Sequence, residues 1–190
     1  MWLNEGLATF FESYASEAVY DKSFVWQRFY TEKREKAMYE DGMGLTLFQK
    51  QTVPSEEEIK KPEEAEKLFS WNLYERGACM LAMVRSILGE KTFLSTTTEY
   101  LKNNSFSSTV SRNLFAHWFH PAKNEIEAIS QSTVTLEHFY DFMEPWTNRS
   151  GYPVVYLARH ETDNTVSKSL IIKAFGLSPK YHFLISINFS

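Results

Sequence analysis

Three places in the chain hold side chains that could do chemistry. Glu5 stands in the stretch WLNEGLATFFE, followed at once by a glycine. Tyr74 opens LYERGACMLAMVRSILG, and His117 and His120 lie in HWFH. A glutamate can give one oxygen to a zinc ion, but a catalytic zinc needs about three protein ligands, so Glu5 cannot hold one alone. A phenol can donate a hydrogen bond to an oxyanion that develops during acyl transfer. The histidines are spaced i, i+3, with Trp118 where a metallopeptidase H-E-x-x-H would carry its glutamate. That pair therefore reads as structural, and His138, His160 and His182 are isolated. There is no G-x-S-x-G elbow, phosphate-binding loop or C-x-x-C, so nucleophilic and phosphate-binding chemistry has no support.

The elements that must position these residues are mostly helical. Leu3, Leu7, Phe10, Phe11, Tyr14 and Ala18 recur at helical spacing and predict a helix over 2–20. Glu5 falls on its other side, flanked by Ala8, Thr9 and Glu12. From periodicity that is either a solvated carboxylate or the wall of a cleft, and the small Ala8 and Thr9 would let a ligand approach. A second helix is predicted over 24–41, then a turn at Gly42 and Gly44 and a solvated acidic connector, TVPSEEEIKKPEEAEKLF. Residues 70–88 form a strong amphipathic helix that Gly89 stops. Gly77 inside it costs about 1 kcal/mol against alanine, which argues for a close backbone approach beside Tyr74. Further helices are expected over 91–104, 109–120 and 134–144. After a turn at Trp146–Gly151, the stretches GYPVVYLARH, KSLIIKAFGL and KYHFLISINF read as strands. This places a boundary near residue 149.

Composition narrows the classes. With 43% hydrophobic and 16% aromatic residues the chain can build a core, and 23% charged residues argue against disorder. A net charge of -4 gives no support to nucleic-acid binding. No apolar run is long enough to span a bilayer, and the first 20 residues do not look like a signal peptide. The lone Cys79 excludes an internal disulfide and leaves the compartment open. N-x-S triplets stand at Asn103, Asn148 and Asn188.

The blocks WLNEGLATFFE and LYERGACMLAMVRSILGEKTF, in this order, closely resemble two signature blocks of the aminopeptidase N-like zinc aminopeptidases. This gluzincin family includes puromycin-sensitive aminopeptidase. EPWTNRSGYPVV resembles the family's junction between a helical catalytic domain and a small β-sandwich. The resemblance extends over most of residues 1–157. It implies a mainly α chain: residues 1–149 as the C-terminal helical half of a thermolysin-like catalytic domain, residues 150–190 as the first strands of a β-sandwich. It implies that Glu5 is a zinc ligand and that Tyr74 stabilises the tetrahedral transition state, with Arg76 where the family usually has lysine. It also implies a peptide substrate for the full-length enzyme.

The family's H-E-x-x-H, with two histidine ligands and the general base, and its amine-holding G-A-M-E-N are both absent from the 190 residues. The expectation is therefore a fragment of a zinc aminopeptidase with an incomplete zinc site, inactive by itself. The alternative is a degenerate, non-catalytic paralogue that binds peptides or a partner. A carboxylate hydrolase built on Glu5 and Glu12 is a third, weaker reading. The first helix and the β tail are expected to expose apolar surface and favour self-association.

Overall fold

The computed structural model describes residues 2–42, 71–148, 152–162 and 165–174. Those residues are mainly helical. Helix α1 is Trp2–Ser16. It stops short of the predicted residue 20 because Asp21 starts a new helix, its side chain accepting from the Phe24 N–H at 3.0 Å. Helix α2 (Lys22–Arg28), a π-helical stretch (Phe29–Arg34) and α3 (Glu35–Gly42) follow without a break in helical dihedrals, close to the predicted 24–41. The wider π turns rotate the register midway along this rod. They bring Lys33 back to Glu12 of α1 at 3.2 Å.

Helix α4 is Trp71–Leu88 and α5 is Glu90–Asn103. Only Gly89 separates them, at φ +74°, a left-handed backbone that glycine adopts without penalty. The sequence placed this stop correctly. Arg85 of α4 braces the corner: its guanidinium lies 4.5 Å over the Trp26 ring and bonds Glu90, while the Trp26 indole donates to Glu17.

Helix α6, Ser111–Ser130, runs ten residues past the expected end. The helix continues through Pro121. Pro121 is exposed, so the His117 carbonyl it leaves unpaired can turn to water, while Trp118, Phe119 and Ala122 stay buried. Helix α7 is Leu136–Asn148, started by a reciprocal cap between Thr135 and His138. It carries Trp146 inside the helix, where a turn was expected. Strands β1 (Pro153–Thr162) and β2 (Thr165–Ala174) form an antiparallel hairpin, paired from Pro153↔Ala174 to Thr162↔Thr165. The predicted acidic connector, the turn at Gly44 and the third strand, KYHFLISINF, lie outside the described residues.

Helices α1, α4, α5, α6 and α7 share one core. Aromatic rings link it: Phe10 to Phe93 (5.3 Å between centroids), Phe93 to Trp118 (5.9 Å), Trp118 to Phe115 (5.9 Å) and Phe115 to Trp2 (6.4 Å). The Trp118 indole N–H, fully buried, donates to the Thr97 hydroxyl at 3.0 Å. The first helix does not expose its apolar residues as expected, because Trp2, Leu3 and Phe10 are buried against α4, α5 and α6. Among the described residues the exposed large apolar side chains lie elsewhere, among residues 19–39 and 101–110.

Candidate active site

The site begins with two glycines. A Cβ on Gly77 would stand 2.8 Å from the Gly6 Cα and 3.1 Å from the Trp2 carbonyl oxygen. A Cβ on Gly6 would meet the Gly77 backbone at 2.9 Å. Helices α1 and α4 therefore cross with their backbones touching, and Ala78 beside the crossing is fully buried. The helix-propensity cost of Gly77 is explained by this approach.

The crossing brings Glu5 and Tyr74 together, one residue before Gly6 and three before Gly77. Both are half-buried. The Glu5 carboxylate lies close to the Tyr74 phenol, and burial, the Glu5 charge and hydrogen bonding to Glu5 hold the phenol above its ordinary ionisation range. Glu5 thus stands beside a phenol at the edge of the crossing. Of its predicted flanks, Ala8 and Glu12 are exposed, whereas Thr9 is buried.

Tyr74 is held from both sides. Glu75 and Arg76, its next neighbours, are buried charged residues at 8% exposure each. Glu75 pairs with Lys36 of α3 at 3.9 Å, and its second oxygen, Oε2, has no hydrogen-bond partner. Glu40, on the same face of α3, has its carboxyl pushed up by burial against the opposing pull of Lys36. Arg76 donates through Nε to the Trp146 carbonyl of α7 at 3.2 Å. The N-terminal part of α4 is thereby tied to two other helices at the tyrosine. Sequence reasoning noted Arg76 only as a departure from a pattern and passed over Glu75. The available signal was two adjacent charges inside an otherwise apolar helix, because charges are rarely buried unless paired.

The remaining candidates do not join this pair. Glu12 lies two helical turns from Glu5, about 10 Å along the axis, and pairs with Lys33 instead. It lines a cavity of about 300 Å³ beside Ser16, Arg28 and Glu32, which includes neither Glu5 nor Tyr74. The structure thus gives the two carboxylates separate partners. His117 shares a ring nitrogen with the Asn113 carbonyl (2.8 Å), lies near Asn103 (3.4 Å) and meets the Tyr100 ring edge-on. His120 is exposed beside Phe119. His138 caps α7, His160 lies on β1 and His182 is outside the described residues. Among the described residues no three His, Cys, Asp or Glu side chains gather as a metal site. The chemistry present fits one oxygen donor to a metal and one phenolic donor beside it, and not a complete ligand set. Among the described residues, no helix is long and apolar enough to cross a membrane.

The family model of the peptidase family M1 domain matches residues 1–146. Aminopeptidase M1 of Arabidopsis thaliana is 29% identical over 155 residues, covering 82% of this chain and 15% of the relative. A probable aminopeptidase 2 of Sulfurisphaera tokodaii is 28% identical over 158 residues, 83% of this chain and 18% of the relative. The thyrotropin-releasing hormone-degrading ectoenzyme of Rattus norvegicus is 23% identical over 163 residues, 85% of this chain and 14% of the relative. The chain thus spans less than a fifth of the length of these relatives.

Proposed function

The chain belongs to the M1 peptidase family, and from that premise we propose that it forms one wall of the active site of a zinc-dependent aminopeptidase that removes N-terminal residues from peptides. In this reading residues 1–149 are the helical part of the catalytic domain and residues 150–190 begin a β-sandwich. Glu5 is one protein ligand of the zinc ion, and Tyr74 is the donor to the oxyanion of the tetrahedral intermediate. The observation that carries the reading is the closeness of the Tyr74 phenol to the Glu5 carboxylate at the Gly6–Gly77 crossing.

Zinc held by three protein ligands polarises a carbonyl and activates water. This chain offers one such ligand. What its own residues do follows from the pairing. The Glu5 carboxylate favours the protonated Tyr74 phenol, whose single O–H must turn from Glu5 to the substrate oxygen as negative charge develops there. Removing such an oxyanion donor typically costs about 10²–10³ in kcat. The 190 residues lack H-E-x-x-H, so the isolated chain is expected to show no turnover.

A segment exchange tests the assignment. Residues 1–146 would replace the matching segment of the Arabidopsis relative, with an aminoacyl chromogenic amide as substrate. The chimera should turn over, lose activity to chelator and to Glu5→Ala, and keep its KM but lose about 10²–10³ in kcat on Tyr74→Phe. Full activity in either variant would overturn the assigned role. Turnover by the isolated chain that both chelator and Glu5→Ala abolish would overturn the claim that it is inactive alone.

A further inference from the structure

At the far end of α5 a surface feature has no place in the reading above. Phe106 is fully exposed (110%) and stands at φ +60°, a left-handed backbone that is an outlier for a bulky residue. Leu101 and Val110, also exposed, lie within five residues of it. Nothing among the described residues covers these side chains. The strain at Phe106 and its lost burial are therefore both uncompensated.

The same turn carries the triplet Asn103-Asn104-Ser105, an acceptor motif for N-linked sugar. Its geometry leaves the acceptor accessible. Asn103 is exposed in the last turn of α5. Asn104, not Asn103, caps the helix end, its side chain donating to the Tyr100 carbonyl at 2.8 Å. Ser105 Oγ donates to the Leu101 carbonyl at 3.0 Å, which closes the turn. Asn103 Nδ2 has a contact to His117 Nε2 at 3.4 Å. A glycosylated amide keeps one N–H, so that contact can persist.

We propose that Asn103 is an N-glycosylation site and that the first sugar lies over Phe106. In the modification, Asn103 Nδ2 attacks the anomeric carbon of a lipid-diphosphate-linked oligosaccharide. A C–N bond forms as the sugar's C–O bond to the diphosphate breaks. The lipid diphosphate leaves with the electron pair, and one amide proton passes to the transferase. The apolar face of the sugar ring then covers the exposed aromatic ring, as apolar CH groups pack on aromatic faces generally. This accounts for a strained, solvent-facing phenylalanine three residues from the acceptor.

The test is secretion of the full chain from insect cells behind a cleavable leader. Peptide mapping after glycan release should recover position 103 as aspartate. Three forms are then compared for binding of a hydrophobic dye: the glycosylated chain, the same chain trimmed to its first sugar, and Asn103→Gln. Trimming should leave dye fluorescence low, and Asn103→Gln should raise it. Ser105→Ala, which removes the motif but keeps the asparagine, should match Asn103→Gln, and Phe106→Ala should cancel the difference. An unmodified Asn103 overturns the site. Equal dye binding with and without the first sugar overturns its position over Phe106.

Discussion

The contact between α1 and α4 makes an unusual prediction for Gly77→Ala. On an exposed helix the change would stabilise by about 1 kcal/mol, because alanine is the better helix former. Here the new methyl would stand 2.8 Å from the Gly6 Cα and 3.1 Å from the Trp2 carbonyl oxygen. Carbon pairs are most favourable at roughly 3.5–4.0 Å, so α1 would have to move out by about 0.7 Å. Neither obstacle is a side chain that could swing away. Overpacking of this kind costs about 1–3 kcal/mol. The backbone obstacles put this case in the upper half, for a net loss of about 1–2 kcal/mol. In a chain of this size that lowers Tm by roughly 2–8 °C. Thermal and urea melts followed by far-ultraviolet circular dichroism measure it. Gly6→Ala should behave alike, since its methyl would meet Gly77 backbone at 2.9 Å. The same separation should let the Tyr74 phenol titrate closer to its ordinary value of 10.0, readable by NMR with ring-labelled tyrosine. A Gly77→Ala variant stabilised by about 1 kcal/mol would show propensity acting alone and refute the backbone contact.

Other consequences are as direct. Tyr74 titrates above 10.0 in the folded chain, so its contribution to stability is complete below that pH and declines as pH rises through the folded value; Tyr74→Phe should flatten that part of the melting profile, and an unchanged profile would contradict the pairing. Burial, with Glu75 nearby, pushes the Cys79 thiol up to about 12, so iodoacetamide at pH 8 should alkylate it far more slowly in the native chain than in urea; equal rates would count against its burial. Thr97→Val keeps the shape but orphans the buried Trp118 indole N–H, a loss of about 1–3 kcal/mol in urea melts. Arg76→Met removes the donor to the Trp146 carbonyl and should cost about 2 kcal/mol, with Arg76→Lys recovering part of it.

What the sequence made legible was periodic or local. The α4 helix, its stop at Gly89 and the α5 helix follow from helical spacing and one glycine, and their observed bounds differ from expectation by a residue. The expected end of α6 at residue 120 fell ten residues short. Pro121 does not stop the helix, because a proline ends a helix only if the helix needs the hydrogen bond it removes. On the exposed side of α6 it does not, and Trp118, Phe119 and Ala122 keep the helix docked. The first helix was expected to expose apolar surface, yet its cover comes from α4, α5 and α6, far along the chain.

The pairing of Glu5 with Tyr74 was not accessible to periodicity at all. The two residues are 69 positions apart, and a helical wheel places each only relative to its own axis. What links them is a crossing point, set where two glycines let backbones touch. Gly77 announced half of that crossing by its propensity cost; Gly6 gave no such signal. A side-chain methyl at either position would separate the helices and with them the carboxylate and the phenol. The two glycines are therefore part of this pairing, since they set the distance at which the tyrosine meets the carboxylate.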